Sequence, residues 1–334
     1  MKKNHYAALC AFMMVLGLWV GSTSEGQVKV DPRLPGYTPV GGVSGSIKSV
    51  GSDTMNNLMT LWAEKFNEMY PNVPVEIEGK GSSTAPPALI SGAANFGPMS
   101  RKMKSKEEDT FEARFGYKPN TLRTAIDILA VYVHKDNPIA GMGLTLQQLD
   151  AIFSKIRKGG YGAAVTTWGQ LGLTGEWKNK PISLYGRNSA SGTYGYFKKH
   201  ALFKGDYKDS VKEQPGSASV VQAIASDRYG IGYSGIGYKT ADVAVVPIAP
   251  DPDSDPVPAD SESVSEYPLA RFLYLNINYR PGSTLDPLRK EFLKLVFSRQ
   301  GQEVVIKDGY LPISYAIAKK DLAGIGVTMS NEKN

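Results

Sequence analysis

The chain has 334 residues, of which 42% are hydrophobic and 21% are charged, and its formal net charge at pH 7 is +6. This is an ordinary balance for a globular protein, and the length allows a large core that is best divided between two domains. The sequence has no run of Lys and Arg of the kind that nucleic-acid-binding proteins carry, so the basic charge does not indicate that class of partner, although it can help to attract an anion.

The N-terminus has the pattern of a secretory signal peptide. Two lysines near the start precede an apolar run at 7–20, and small residues follow at 21–24. This order predicts export and removal of residues 1–24. The apolar run is also too short for a typical transmembrane helix. The only cysteine, Cys10, lies inside the run rather than at its end, where a lipoprotein would need it. We therefore expect a soluble periplasmic protein without disulfides or thiolate metal sites.

The rest of the chain alternates between strand and helix patterns after a leader. Residues 25–44 are rich in Gly, Pro, Val and Ser, which predicts that this leader is flexible. The predicted strands lie at 47–50, 73–77, 125–134, 182–185, 229–237 and 271–278. The predicted helices lie at 55–69, 86–90, 145–153, 193–201, 220–225 and 285–297, and a long loop is predicted at 249–268. Such alternation is typical of an α/β fold.

Three turns that each precede a helix are rich in hydroxyl groups. They read Gly-Ser-Asp-Thr at 51–54, Gly-Ser-Ser-Thr at 81–84 and Gly-Arg-Asn-Ser-Ala-Ser-Gly-Thr at 186–193. Helix N-termini present unpaired N–H groups and a positive dipole end, and Arg187 adds a planar set of donors that matches phosphate or carboxylate. Each turn alone could be a simple helix cap. Together, and with Ser-Arg at 100–101, they favour a site for a tetrahedral oxyanion.

The sequence offers little support for catalysis. Its histidines are His5, His134 and His200, and it has no Gly-x-Ser-x-Gly elbow, His-Glu-x-x-His motif or P-loop. Ser189 or Ser191 would lack an evident base as a nucleophile. We expect a non-catalytic protein with no metal and no cofactor. A secreted phosphoester hydrolase, or an interaction protein on the same fold, remains the alternative from another class.

Taken in order, the three turns and Phe-Gly-Pro-Met-Ser-Arg at 96–101 resemble the periplasmic phosphate-binding proteins of ABC transporters over about residues 45–320. The resemblance implies a two-lobed periplasmic binding protein of type II-like architecture, with two α/β domains joined by two crossing strands and the ligand in the cleft. The implied domains are lobe 1 (45–130 and 240–322), lobe 2 (131–239) and a polar tail (323–334).

The turns and the resemblance together give a set of anion-binding residues. The set is Asp53, Thr54, Ser82, Ser83, Ser100, Arg101, Arg187, Ser189, Ser191, Gly192 and Thr193. The chain departs from the best-known members at two of these positions. Ser100 stands where they place the carboxylate that accepts the proton of phosphate, and Ser189 replaces an acid that often orients the arginine. Our hypothesis is that Asp53 has taken over the acceptor role; the alternative is that it is a solvated helix cap.

The function implied by the resemblance is capture of inorganic phosphate in the periplasm and delivery to an inner-membrane ABC permease. Closure of the two lobes around the ligand would create the form that the permease recognises. Within the same fold, the alternative is a receptor for sulfate, molybdate or tungstate. We expect a monomer that does not bind nucleic acid.

Overall fold

The computed structural model describes residues 28–329 of the chain. The predicted signal peptide, the start of the predicted leader and the end of the predicted tail lie outside the described residues. Within residues 28–329, no helix combines the length and the apolar character that a membrane span requires.

The described chain alternates strands and helices, as predicted. The strands are β1 (Ile47–Val50), β2 (Val75–Glu78), β3 (Gly97–Met99), β4 (Asn120–His134), β5 (Leu144–Thr145), β6 (Ser183–Arg187), β7 (Lys212–Gln214), β8 (Gly230–Gly235), β9 (Val243–Val246), β10 (Ile248–Ala249) and β11 (Ala270–Ile277). The helices are α1 (Asn56–Asn67), α2 (Ala85–Ser91), α3 (Ser105–Phe115), α4 (Leu146–Phe153), α5 (Gly192–His200), α6 (Ser217–Ser226), α7 (Pro287–Val296), α8 (Arg299–Lys307) and α9 (Tyr315–Ala323). Helices α3, α8 and α9 were not predicted from the sequence.

A seven-stranded sheet runs through both lobes, and two-stranded sheets of β1 with β2 and of β5 with β10 lie beside it. In lobe 1 the order is β2, β1, β3, β11 and β4, with β1 parallel to β2 and a single bridge from Ser49 to Phe96 that joins β1 to the chain entering β3. In lobe 2 the order is β7, β6, β8, β4 and β9, with β6 parallel to both of its neighbours. In each lobe the order along the chain is second, first, third strand, followed by a strand that comes from the other lobe, and β4 takes part in both arrangements.

Strands β4 and β11 carry the chain between the lobes. Residues 120–128 of β4 pair with β11 in lobe 1, and residues 129–134 pair with β8 and β9 in lobe 2. The chain returns at Ala270, the first residue of β11, which lies opposite Ile128. The predicted architecture of two α/β lobes joined by two crossing strands is thus what the structure shows.

The predicted lobe boundary near residue 240 is corrected by the packing. Val246, Ile248, Tyr267 and Leu269 are buried in the core of lobe 2, and β9 pairs with β4. Residues 240–269 therefore belong to lobe 2, because their apolar side chains and ladder hydrogen bonds are satisfied there. From here on, lobe 1 means residues 28–128 and 270–329, and lobe 2 means residues 129–269.

The predicted flexible leader is corrected over its described part. Leu34 is fully buried in the core of lobe 1, and Tyr37 is nearly so. The backbone N–H of Tyr37 donates to Gln300 Oε1 at 2.9 Å, and the N–H of Arg299 donates to the carbonyl of Pro35 at 2.9 Å. This segment has no regular secondary structure, yet its side chains and backbone are held by α8.

The predicted polar tail is corrected in the same way. Helix α9 extends to Ala323, and the two apolar residues beyond it, Ile325 and Val327, are buried in the core of lobe 1. The sequence around them is polar, but these two side chains pack this segment against lobe 1.

Replacement of Leu34 by Ala tests the leader correction. Burial of this side chain predicts a loss of about 3 kcal/mol in the free energy of unfolding, measured by urea denaturation. Val40 is 48% exposed in the same segment, so Val40→Ala serves as a control and should change the value by less than about 0.5 kcal/mol. Equal small effects at both positions would show that the segment does not pack.

Candidate functional site

The hydroxyl-rich turns meet at the contact between the two lobes. Thr54 and Ser82 lie in short 3-10 turns that follow β1 and β2, Ser100 follows β3, and Thr193 lies in the first turn of α5. A fifth hydroxyl, that of Ser217 at the start of α6, joins them. We call these five residues the hydroxyl cluster. All are at the C-terminal ends of sheet strands, where ligands bind in open α/β sheets.

The cluster is buried, and its hydroxyl groups contact each other across the lobes. Thr54 Oγ1 of lobe 1 lies 2.9 Å from Thr193 Oγ1 of lobe 2. Ser100 Oγ lies 3.3 Å from Ser82 Oγ and 3.5 Å from Thr193 Oγ1, and the Ser100 N–H donates to Ser82 Oγ at 3.0 Å. Each hydroxyl can donate one hydrogen bond and accept two, so the cluster can reorganise around a group that needs several donors.

Glycine and a helix cap allow the lobes to approach this closely. Ser191 Oγ accepts hydrogen bonds from the N–H groups of Thr193 and Tyr194 and so fixes the start of α5. A Cβ atom on Gly192 would lie 2.3 Å from Ser82 Oγ and 2.6 Å from Ser100 Oγ, both in the opposite lobe. A side chain at position 192 would therefore force Ser82 and Ser100 to shift while the lobes are in contact.

Arg187 is the cation of the site, and it is buried. Its Nη1 lies 2.9 Å from Asp53 Oδ2 and donates to Ser217 Oγ at 2.7 Å, and its Nη2 donates to the carbonyl of Pro215 at 3.2 Å. Burial lowers the pKa of Arg187, and the Asp53 carboxylate opposes that shift. Arg187 Nε has no hydrogen-bond partner among the described residues. A charged donor is thus left over at the cluster.

Asp53 has contacts that the sequence hypothesis did not predict. Its Oδ2 accepts from Arg187 and, at 2.8 Å, from the backbone N–H of Ser217. Both partners belong to lobe 2, whereas Asp53 belongs to lobe 1. These contacts place Asp53 where it can orient the arginine, which is the role that the resemblance gave to an acid at position 189; its predicted role as acceptor of the phosphate proton stays a hypothesis. Ser189 itself is exposed in the turn and has to be removed from the predicted set.

Arg101 and Ser83 lie beside the cluster and do not point into it. Arg101 forms a two-pronged ion pair with Glu107, with Nη2 2.7 Å from Oε1 and Nη1 2.8 Å from Oε2, and it donates to Ser83 Oγ at 3.3 Å. The prediction placed both residues among the anion-binding groups, but the charge of Glu107 draws the guanidinium away. Both residues leave the set for this reason.

The sequence analysis missed Ser217, Arg271 and Asp127. Ser217 belongs to a fourth hydroxyl-rich turn at the start of a helix, Gly-Ser-Ala-Ser at 216–219, the same signal that identified the other turns. Arg271 and Asp127 are charged residues flanked by apolar ones in β11 and β4, and a charge in such a setting is itself a signal of a buried pair. They lie opposite each other in the ladder of the two crossing strands.

The second buried ion pair contacts the cluster directly. Arg271 Nε and Nη2 lie 2.9 and 2.7 Å from Asp127 Oδ2. Arg271 Nη2 also donates to Thr193 Oγ1 at 2.9 Å, and Nη1 donates to the carbonyl of Ser100 at 3.0 Å. Two arginines therefore border the cluster, and each is balanced by one aspartate. In residues 28–329, no three His, Cys, Asp or Glu side chains come together as metal ligands.

An unusual carboxyl group lies behind the site. Tyr238 donates to the backbone carbonyl of Asp53 at 3.0 Å. The backbone of Asp308 packs against Gly237, the residue before Tyr238. Burial raises the pKa of Asp308 to about 6; a hydrogen bond from Asn57 opposes this shift and the charge of Asp127 adds to it. Asp308 Oδ2 has no partner among the described residues.

Known proteins are similar in sequence to this chain over most of its length. A family model described as a PBP superfamily domain matches residues 37–300. The phosphate-binding protein PstS of Pseudomonas aeruginosa is 53% identical over 321 residues, which cover 96% of this chain and 98% of that protein. The phosphate-binding protein PstS of Bacillus subtilis is 28% identical over 331 residues, which cover 97% of this chain and 99% of that protein.

Solved structures agree with the two-lobed fold. An ABC-type phosphate transport receptor from Vibrio cholerae matches with a TM-score of 0.60 at 22% identity, over 80% of this chain and 100% of that one. The high affinity periplasmic phosphate-binding protein PfluDING, solved with phosphate, matches with a TM-score of 0.65 at 15% identity, over 86% of this chain and 97% of that one. At these identities the likeness establishes the fold.

The raised pKa of Asp308 predicts how stability depends on pH. The folded protein holds this proton up to about pH 6, whereas the unfolded chain releases it near its ordinary value of 3.8, so stability falls as pH rises through this window. Asp308→Asn stays neutral. Its free energy of unfolding relative to wild type should therefore rise between pH 4 and pH 7, by up to about 3 kcal/mol.

The measurement is urea denaturation of both proteins across that pH range. Asp253→Asn, in an exposed loop, is the control and should show no pH-dependent difference. A difference between Asp308→Asn and wild type that stays constant with pH would contradict the assignment.

Proposed function

The chain belongs to the PBP superfamily and, within it, to the family of PstS phosphate-binding proteins, and from this we propose that it captures inorganic phosphate between its lobes and delivers it to an ABC transporter permease. The resemblance noted in the sequence is thereby confirmed. The family consists of transport receptors, so the protein is a binding protein and not an enzyme.

One structural observation at the site supports the proposal of phosphate binding. The hydroxyl cluster and Arg187 form a buried, donor-rich centre from residues of both lobes, and it is complete only when the lobes are in contact. A tetrahedral anion removed from water needs many short donors from different directions, and charge-assisted hydrogen bonds from an arginine are the strong ones. The centre provides both.

The proposed ligand contacts follow from this geometry. The hydroxyl groups of Thr54, Ser82, Ser100, Thr193 and Ser217 would surround the anion, with Arg187 Nε as the charged donor. The backbone N–H of Gly192 and the cap at Ser191 would contribute the positive end of α5. Asp53 would hold Arg187 in place.

The setting of the function is also a proposal. The signal-peptide pattern at 1–24 supports a periplasmic protein. The permease would lie in the inner membrane, and the protein would act as a monomer without nucleic acid.

Calorimetric titration with phosphate tests the function. The chain, freed of ligand by unfolding and refolding, should bind one phosphate, with sulfate much weaker. Gly192→Ala should lower the phosphate affinity at least about 100-fold, because its Cβ would meet Ser82 and Ser100 before the lobes close.

Gly195→Ala is the matched control on the same helix. A Cβ there would have Arg101 Cδ as its nearest neighbour, at 3.8 Å, so affinity should stay within about twofold of wild type. Sulfate binding as tight as phosphate binding would favour the other oxyanion receptors. No heat with phosphate would refute the proposal.

Asp53→Asn separates the two roles considered for this residue. If Asp53 orients Arg187, its loss weakens every anion, so affinity for phosphate should fall about tenfold or more while the phosphate-to-sulfate ratio, measured by competition, changes by less than about threefold. A ratio that collapses towards sulfate would instead restore the hypothesis that Asp53 accepts the proton of phosphate.

A further inference from the structure

We propose that the Asp127–Arg271 pair, formed by one residue on each crossing strand, couples closure of the lobes to the orientation of the Thr193 hydroxyl in the ligand site. This inference rests on the proposed function and adds a positioning residue, Arg271, that does not itself have to contact the ligand. It is argued from the position of the pair, its contacts in each lobe and the chemistry of a hydroxyl group.

The pair lies where the chain passes between the lobes. Asp127 and Arg271 are directly opposite in the ladder of β4 and β11, beside the last residue pair of lobe 1. Any hinge motion that separates the lobes acts on this part of the two strands. Asp127 is fully buried and Arg271 nearly so, and a buried ion pair of good geometry resists rearrangement because breaking it leaves an uncompensated charge.

The same pair contacts both lobes. In lobe 1, Arg271 Nη1 donates to the carbonyl of Ser100 at 3.0 Å. In lobe 2, Arg271 Nη2 donates to Thr193 Oγ1 at 2.9 Å, and Asp127 Oδ1 accepts from the N–H of Ile236 at 3.2 Å. A rigid guanidinium can make its contacts in both lobes only while the lobes are closed.

The contact with Thr193 determines what that hydroxyl can do. A guanidinium donates and cannot accept, so its hydrogen bond occupies one lone pair of Thr193 Oγ1. The hydroxyl proton is then directed away from Arg271, towards Thr54 and Ser100 in the cluster. For an anion in the cluster, Thr193 becomes a donor in a fixed direction.

Helix α5 is held in register by the same strand. The Arg271 guanidinium lies 5.3 Å from the centre of the Tyr196 ring, and Tyr196 donates to the carbonyl of Ala270 at 2.7 Å. Thr193 and Tyr196 are one turn apart on α5, so the strand aligns the helix whose first turn enters the site.

The test compares Arg271→Lys with a matched variant. Lysine keeps the charge, but a single ammonium cannot reach Asp127, Ser100 and Thr193 together. Arg123→Lys is the control, because Arg123 lies on the other crossing strand, β4, and forms a two-pronged pair with Asp321, away from the site. Phosphate affinity should fall at least about tenfold in Arg271→Lys and less than about twofold in Arg123→Lys. Equal losses, or no loss, would overturn the proposal.

A double-mutant cycle with Thr193→Val separates positioning from general destabilisation. If Arg271 acts through the Thr193 hydroxyl, Arg271→Lys should cost less than about threefold in affinity once that hydroxyl is gone. If the fold-losses in phosphate affinity of the two single variants multiply to give that of the double variant, the coupling is refuted. If Arg271→Lys does not fold, Asp127→Asn/Arg271→Gln replaces it in every comparison, because it removes both buried charges together.

Small-angle scattering provides a readout of closure that does not depend on affinity. At saturating phosphate, wild type should be more compact than Arg271→Lys, and equal curves would contradict the proposal. A wild-type protein that does not bind phosphate would refute the proposed function instead. In that case the scattering curves of ligand-free wild type and Arg271→Lys are compared. Equal compactness of the two proteins would overturn the proposed role of Arg271 in closure.

Discussion

The burial of two arginine charges at the contact between the lobes is the constraint on which the site depends. Arg187 and Arg271 are both almost inaccessible to solvent, and a charge removed from water needs a partner of opposite sign. Asp53 and Asp127 are these partners. With two positive and two negative charges in balance, the centre they border is neutral overall and rich in hydroxyl and N–H groups.

A centre made of hydroxyl groups recognises an anion differently from one that includes a carboxylate. A carboxylate only accepts hydrogen bonds, whereas a hydroxyl group accepts or donates according to its rotation. At position 100 this chain has a serine, and Asp53 is engaged with Arg187. The orientation of the hydroxyl groups therefore bears on how a protonated anion is recognised, and residues such as Arg271 that restrict their rotation gain importance.

The sequence predicted local features better than packing. The Gly-Ser turns and Arg187 could be found because their residue types and spacing carry the chemistry, and the strand at 125–134 because it is apolar. The role of Asp53 could not, since it depends on Arg187, which is distant in sequence and lies in the other lobe. Leu34 was missed because a segment without periodicity gives no sign that it packs. Ser189 and Arg101 were misplaced because exposure and a competing acid, Glu107, are decided by the tertiary structure.

The placement of Asp53 on the lobe opposite Arg187 has a consequence for how the site works. An acid at position 189 would lie in the same turn as the arginine and could neutralise it whether the lobes are together or apart. Asp53 reaches Arg187 only across the cleft. With the lobes apart, Arg187 is therefore a cation without its partner and attracts an anion; when the lobes meet, the ion pair forms and compensates the charge of Arg187 as it is buried. Moving the acid from one side of the cleft to the other thus links ligand capture to closure without adding a charge.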